Sequence, residues 1–234
     1  MLDKYDILLT CEHATNAVPP DLRPLFPKHI LKTHRGFDIG ALTLAKKLSR
    51  RFKKRLYRAT ASRLVIDLNR SIHNRRSLFS RYLNPLDSRR KKRILEQLYL
   101  PYRKAVEDEI RKKTRRKKPV LHLSVHSFTP VLNGRPRKTD IGLLFDPKRK
   151  GERVLCLRWK EILRRKAPQL CVRFNDPYRG TADGFTTSLR RRLPASAYLG
   201  IELEINQKFP LGSDERWLKL QQQLIDSLHG LVQG

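Results

Sequence analysis

Hydrophobic and polar positions along this chain switch between a period of two and a period near 3.6, and the switches divide it into strands and helices. Residues 7–10 (ILLT) form a short continuous apolar and β-favouring run, as expected of a central strand covered on both faces. Alternation over 120–125 puts Leu121, Leu123 and Val125 on one face and His122 and Ser124 on the other, with His126 leaving the strand at its end. Residues 198–206 (YLGIELEIN) repeat the design: Glu202 and Glu204 point the same way among Leu199, Ile201, Leu203 and Ile205. Residues 56–61 and 64–68, broken around Ser62, are expected to be further strands, as are 140–145 and 169–174.

Between these runs the period lengthens. Ile39, Leu42, Ala45, Leu48 and Phe52 recur at near-helical spacing, with Lys46, Lys47, Arg50 and Arg51 outward. Asp38 stands at the start of that helix, where its default role is an N-cap. A second helix is expected over 88–114, with Leu95, Leu98, Tyr102, Val106 and Ile110 on one stripe and Pro101 kinking or splitting it. Further helices are expected at about 151–166, briefly before residue 198, and at the end of the chain on Trp217, Leu220, Leu224 and Leu228. Pro19, Pro20, Pro24 and Pro27 make 17–30 a rigid loop with at most one helical turn. Residues 129–138 form a loop long enough to border a pocket, and 175–184 (NDPYRGTADG) an irregular loop from which Tyr178 can cover a substrate.

Composition narrows the class. A length of 234 residues fits one α/β domain, 1–234, with a substantial core. The balance of 52 Lys+Arg against 22 Asp+Glu gives +30, a strong positive potential that favours anionic partners. One dense basic run, 111–118, contains Arg116 and Lys117 and is by default a solvated helix end. Three cysteines in no paired spacing argue against a disulfide framework and for a reducing, cytoplasmic interior. The N-terminal MLDKYDILLT is too short and too acidic for a signal peptide, and no apolar run approaches the roughly 20 residues of a membrane span.

Candidate chemistry gathers at strand ends, where open α/β sheets bind ligands. Cys11, Glu12 and His13 follow the first strand, His126 ends the 120–125 strand, and Glu202 and Glu204 share one face of the third. A single histidine in a capped loop, or an exposed sheet face, would explain each separately; two histidines and a glutamate together favour a site. If its loop folds over the first strand's end, Asp38 is a hard oxygen ligand beside His13 instead of a cap. Arg70, with Asn69 beside it, offers a planar fork for a carboxylate, although one arginine in so basic a chain is by default surface charge. The basic runs also motivate a rival class, a nucleic-acid-binding protein or metal-dependent nuclease. Against it, the basic residues decorate many elements without the interleaved aromatics of a stacking platform.

The motifs CEHATN, RGFDIGA, SRLVIDLNR, SVHSF, NDPYRG and GIELEIN, in this order over residues 10–207, resemble the N-formylglutamate amidohydrolase (N-formylglutamate deformylase) family. That family is similar in fold to the zinc carboxypeptidases, which implies a three-layer α/β/α architecture with a mixed central sheet. The resemblance implies that His13, Asp38 and His126 bind Zn2+, that Asn69 and Arg70 hold a substrate carboxylate, and that Glu204 is the catalytic carboxylate. It implies a small anionic amide as substrate. The carboxypeptidase spacing of histidine followed three residues later by glutamate is absent, since Asn16 occupies that place after His13. Asp38 is then the third ligand from another loop, or Glu12 is.

Overall fold

A computed structural model describes residues 4–115 and 118–233, so Arg116 and Lys117 of the basic run lie outside the described residues. Its strands are β1 (Asp6–Cys11), β2 (Leu56–Arg58), β3 (Val120–Phe128), β4 (Val131–Leu132), β5 (Arg135–Pro136), β6 (Ile141–Leu144), β7 (Val172–Phe174) and β8 (Tyr198–Asn206). Its α-helices are α1 (Lys28–Leu31), α2 (Ala41–Phe52), α3 (Arg75–Leu78), α4 (Ser88–Ile94), α5 (Leu100–Thr114), α6 (Lys150–Lys166), α7 (Phe185–Arg190) and α8 (Asp214–Gln233). The main sheet has the order β2-β1-β3-β8-β6-β7. Every pairing in it is parallel except β6 with β8, so the sheet is mixed as expected.

The two long central strands, β3 and β8, are buried along their whole length and pair in register from Val120 with Tyr198 to Phe128 with Asn206. Alternation then sorts their side chains. Leu121, Leu123, Val125, Ile201, Leu203 and Ile205 join the core under α2, α6 and α8, which includes Leu44, Leu48, Trp159, Leu163, Leu224 and Leu228. On the opposite face Leu8, Val120 and Tyr198 pack with Val106 and Ile110 of α5 and with Phe185 and Leu189 of α7. The result is three layers, helices on both faces of one sheet. On this second face the strand positions nearer the carboxyl ends turn polar: His122, Ser124, His126, Glu202 and Glu204 are all buried. Burying that many polar groups is costly unless they are paired, which marks this end of the sheet as a site.

Several local expectations change. Residues 64–68 are not a strand but a run of turns, although Val65, Ile66 and Leu68 are buried. The segment plugs the core as coil, tied by Ser62 Oγ donating to the Gly36 carbonyl at 2.7 Å. The preceding strand is shorter than 56–61 and ends at Arg58. Likewise, only Val172–Phe174 of the 169–174 run pairs as strand. Residues 17–30 hold more helix than expected, a 3₁₀ segment at Pro20–Leu25 as well as α1. The 129–138 loop contains the β4–β5 hairpin. Pro101 does not break its helix: a π turn at Leu95–Tyr99 joins α4 to α5 just before it.

Candidate metal centre and active site

The carboxyl ends of β1 and β3 bring His13 and His126 together. Their rings meet edge to face with centroids 4.9 Å apart. Asp38 arrives from the turn ahead of α2, and its backbone N–H donates to the His13 carbonyl at 2.9 Å, fixing one against the other. It does not cap the helix. That position is Gly40, without a side-chain hydrogen bond, at φ 83°, where the missing Cβ also makes room for Pro210 and Trp217. The Asp38 carboxylate is thereby left for the two histidines. Its Oδ2 lies 3.2 Å from His13 Nδ1 and 2.8 Å from His126 Nδ1, and accepts the Ser127 N–H at 3.2 Å.

The far nitrogen of each ring is also engaged. His13 Nε2 donates to Asp67 Oδ1 at 2.8 Å, and His126 Nε2 lies 3.2 Å from Glu12 Oε2 and 2.9 Å from Ser124 Oγ. A neutral imidazole that donates from Nε2 presents a bare lone pair at Nδ1. Two such lone pairs and a carboxylate oxygen therefore face one another, with one ligand atom from each residue lying within 4.8 Å of the others. Three acceptors so placed repel unless a cation or protons stand among them. Two imidazoles and one carboxylate, each imidazole backed by a second carboxylate, are the donor set and outer shell of a catalytic zinc site, so the residues fit the ion that the resemblance implies.

The electrostatics agree. Burial alone would depress the His126 imidazole, but hydrogen bonds and charges from Asp38 and Glu12 outweigh it and hold its pKa well above the ordinary histidine value. His13 is raised on balance: burial and Arg63 lower it, while Asp67 and Asp38 raise it further. The three carboxylates are held well below the usual range despite burial, Asp38 and Asp67 by His13 above all and Glu12 by its hydrogen bond to His126. Glu204 behaves in the opposite way. Burial pushes it up to about 7, with the charges of Asp38 and Glu202 adding to that rise. Its Oε2 is buried without a hydrogen-bond partner among the described residues.

Glu12 is not interchangeable with Asp38. It is fully buried behind His126, accepting from Ser124 Oγ at 2.6 Å and from the Tyr102 hydroxyl at 3.0 Å. Of the two carboxylates, Asp38 faces the cavity between the rings and Glu12 stands behind His126.

A cavity of about 170 Å³ opens on this cluster, and its lining includes His13, Asp38, Asn69, Arg70, His126, Tyr178 and Glu204 but not Cys11 or Glu12. A larger surface groove, about 1150 Å³ between α5 and α7, contains none of them. Asn69 and Arg70 sit in a turn rather than at a strand end. Asn69 Oδ1 accepts the Phe185 N–H at 2.7 Å, and Arg70 Nη1 donates to the Asp183 carbonyl at 2.5 Å. That turn is held from the π turn and α5: the Tyr99 hydroxyl donates to the Arg70 carbonyl at 2.7 Å, and Arg103 Nη1 of α5 to the carbonyls of Leu68 and Arg70, both at 3.2 Å.

The sequence reading passes over Asp67 and Arg63. Arg63 spans the outer shell, with Nη2 2.9 Å from Asp67 and Nη1 3.4 Å from Asp38. Their signal was present: charges four residues apart at the ends of an apolar run leave the core at both ends of a plug.

Comparison with known proteins places this geometry. The sequence model of the N-formylglutamate amidohydrolase family matches residues 5–210. Among solved structures, the chain is similar to gene product Atu2144 from Agrobacterium tumefaciens, with 28% identity, a TM-score of 0.77, and coverage of 98% of this chain and 92% of that one. It is also similar in fold to the N-formylglutamate amidohydrolase from Ralstonia eutropha JMP134, at 21% identity and a TM-score of 0.71 over 97% of this chain and 93% of that one. No curated protein sequence matches. On the family match over nearly its whole length, the chain belongs to the N-formylglutamate amidohydrolase family, hydrolases that act on an amide bond.

Proposed function

We infer that this chain is a zinc-dependent amidohydrolase that removes a formyl or short acyl group from the nitrogen of a small carboxylate-bearing substrate of the N-formylglutamate type. The observation that carries the metal reading is the convergence of His13 Nδ1, His126 Nδ1 and Asp38 on one point, with Asp67 and Glu12 behind the rings. His13, Asp38 and His126 would hold the ion. Bound zinc supplies a Lewis acid for the amide carbonyl and brings the pKa of a water to about 7.

The remaining work falls to the chain itself. Glu204, with no hydrogen-bond partner for Oε2 among the described residues and a pKa pushed up to about 7, accepts the proton of the attacking water and returns it to the departing amine nitrogen. A group titrating near the working pH serves as base and acid in turn. Asn69 and Arg70 orient the substrate through its carboxylate, and the Tyr178 loop screens the cavity mouth. Asp67 and Glu12 keep the two rings in the tautomer that leaves Nδ1 free. Basic side chains spread over α2, α4, α5 and α6 add a general field that draws in an anionic substrate.

Among the described residues no helix is long and apolar enough to cross a membrane. The three free thiols are consistent with a cytoplasmic setting. The test is metal analysis of purified protein together with hydrolysis of N-formyl amino acids by wild type, His126→Ala and Glu204→Gln. Loss of metal in the first variant, and retained metal without turnover in the second, is the expected pattern. Equal activity in all three would overturn the mechanism.

A further inference from the structure

The cavity is lined by four carboxylates: Asp38, Asp183, Glu202 and Glu204. Three have work already. Asp38 is engaged by both histidines and by Arg63, and Asp183 accepts the Ser71 N–H at 3.3 Å and Asn74 Nδ2 at 2.8 Å. Glu204 serves the attacking water. Glu202 remains. It is 9% exposed, and among the described residues it has no ion pair and a single hydrogen bond, which Oε1 accepts from the Thr186 hydroxyl at 2.6 Å. An ionised carboxylate accepts about four hydrogen bonds, and burying one on a single donor is costly. Its Oε2 is left to a donor that enters the cavity.

The position of that oxygen is fixed by two elements. Alternation along β8 sets Glu202 on the same face as Glu204, and the register puts it opposite Ser124 as Glu204 stands opposite His126. From α7, the fully buried Thr186 holds the other oxygen. A Cβ at Gly184 would approach Glu202 Oε1 at 3.1 Å and Asn69 Oδ1 at 3.4 Å, so this carboxylate sits beside the residue that, with Arg70, orients the substrate's carboxylate. In an N-acyl amino acid the scissile nitrogen and a carboxylate share one carbon. An acceptor next to an anion grip matches that pair of groups.

Resting on the amidohydrolase reading above, we propose that Glu202 is a substrate-binding residue that accepts the N–H of the scissile amide and then holds the ammonium group of the departing amino acid. Glu202 itself moves no proton. Water adds its oxygen to the acyl carbon, the C–N bond breaks, and both water protons end on nitrogen, giving a carboxylate and an ammonium. Positive charge therefore develops on the nitrogen along the path, and its bond to the acceptor strengthens as it does. An ester at the same place offers no N–H, and its oxygen lone pairs face the carboxylate.

The test compares kcat/KM of the zinc-loaded full chain on N-formylglutamate and on the O-formyl ester of 2-hydroxyglutarate. Glu202→Gln should reduce the amide-to-ester ratio by about 10- to 150-fold, the range for a hydrogen bond to a charged group, and Glu202→Asp should recover part of it. A wild-type ratio in Glu202→Gln overturns the proposal. Calorimetry on the products separates this idea from the reaction it rests on. Wild type should bind glutamate at least about tenfold tighter than 2-hydroxyglutarate, and Glu202→Gln should lose that preference. If wild type hydrolyses neither compound but shows this pattern, the amine site stands and the reaction falls. Equal binding of glutamate and 2-hydroxyglutarate by wild type, a measurement that needs no variant to fold, overturns the site.

Discussion

The Nδ1 atoms of His13 and His126 meet on a single oxygen, Asp38 Oδ2, at 3.2 and 2.8 Å. Because their Nε2 atoms face Asp67 and Glu12, the rings cannot turn away without breaking a buried hydrogen bond. Their approach is a property of five side chains rather than three.

Removing an outer partner should therefore loosen the metal without removing a ligand. Asp67→Asn and Glu12→Gln are each expected to lower zinc affinity by about 10- to 100-fold, while His13→Ala and His126→Ala abolish stoichiometric binding. Competition with a chromophoric chelator measures this. Affinities for Asp67→Asn and Glu12→Gln equal to wild type would show that the rings are held some other way.

Metal affinity should depend on pH in a defined sense. His126 is held protonated well above the ordinary histidine pKa, and an ion can bind only the neutral ring, so each binding event releases a proton. Affinity should rise with pH by up to about tenfold per unit for each proton released, levelling off above the raised pKa. The metal-free fold responds in the opposite sense. A histidine whose folded pKa is raised stabilises the fold fully below its unfolded value of 6.5, and that stability is lost as pH rises through the folded pKa. Thermal melts of chelated protein should thus fall on the alkaline side; a flat affinity profile from pH 6 to 8 would sink this account.

Glu204→Gln is isosteric and should leave metal content and melting temperature near wild type. Its kcat should drop by about 10²- to 10⁴-fold, the usual contribution of a positioned general acid or base. Single-turnover rates and metal stoichiometry on the same sample decide it, and a loss of under tenfold would move the proton transfer to another group.

Arg70→Ala should raise KM for carboxylate-bearing substrates by about 10- to 150-fold, the worth of a hydrogen bond to a charged group. Neutral analogues should be affected less. An unchanged preference between the two would dismiss the role given to Arg70.

Gly142 stands opposite Glu204 in the β6–β8 pairing. A Cβ there would collide with the Asp176 carbonyl and crowd the Glu204 Cβ at 3.2 Å. Gly142→Ala should cost about 1–3 kcal/mol of stability by overpacking, and should also reduce turnover. Denaturant melts with no change in midpoint would show that the Asp176 loop yields freely.

Much of this was legible in the sequence for a simple reason. β1, β3 and β8 are apolar on the face that meets α2, α6 and α8, while the other face, apolar at Leu8, Val120 and Tyr198, turns polar toward the carboxyl ends of β3 and β8; His126 and Glu204 show in that alternation. Residues 64–68 misled because apolar character records burial and not pairing: Val65 and Ile66 are buried as coil. Asp38 was ambiguous because a carboxylate ahead of a helix suits a cap or a ligand equally, and only the His13 carbonyl bonded to its N–H decides between them. Asp67 was missed because its partner lies 54 residues away.

The π turn before Pro101 reaches further than its own helix. Tyr99 at its end, with Tyr102 and Arg103 of α5, holds the Arg70 turn and Glu12. One residue fewer in Leu95–Tyr99 would rotate α4 against these three by about 100°. The pitch of a helix that does not line the cavity thus acts as a ruler between the Arg70 turn and Glu12 behind His126.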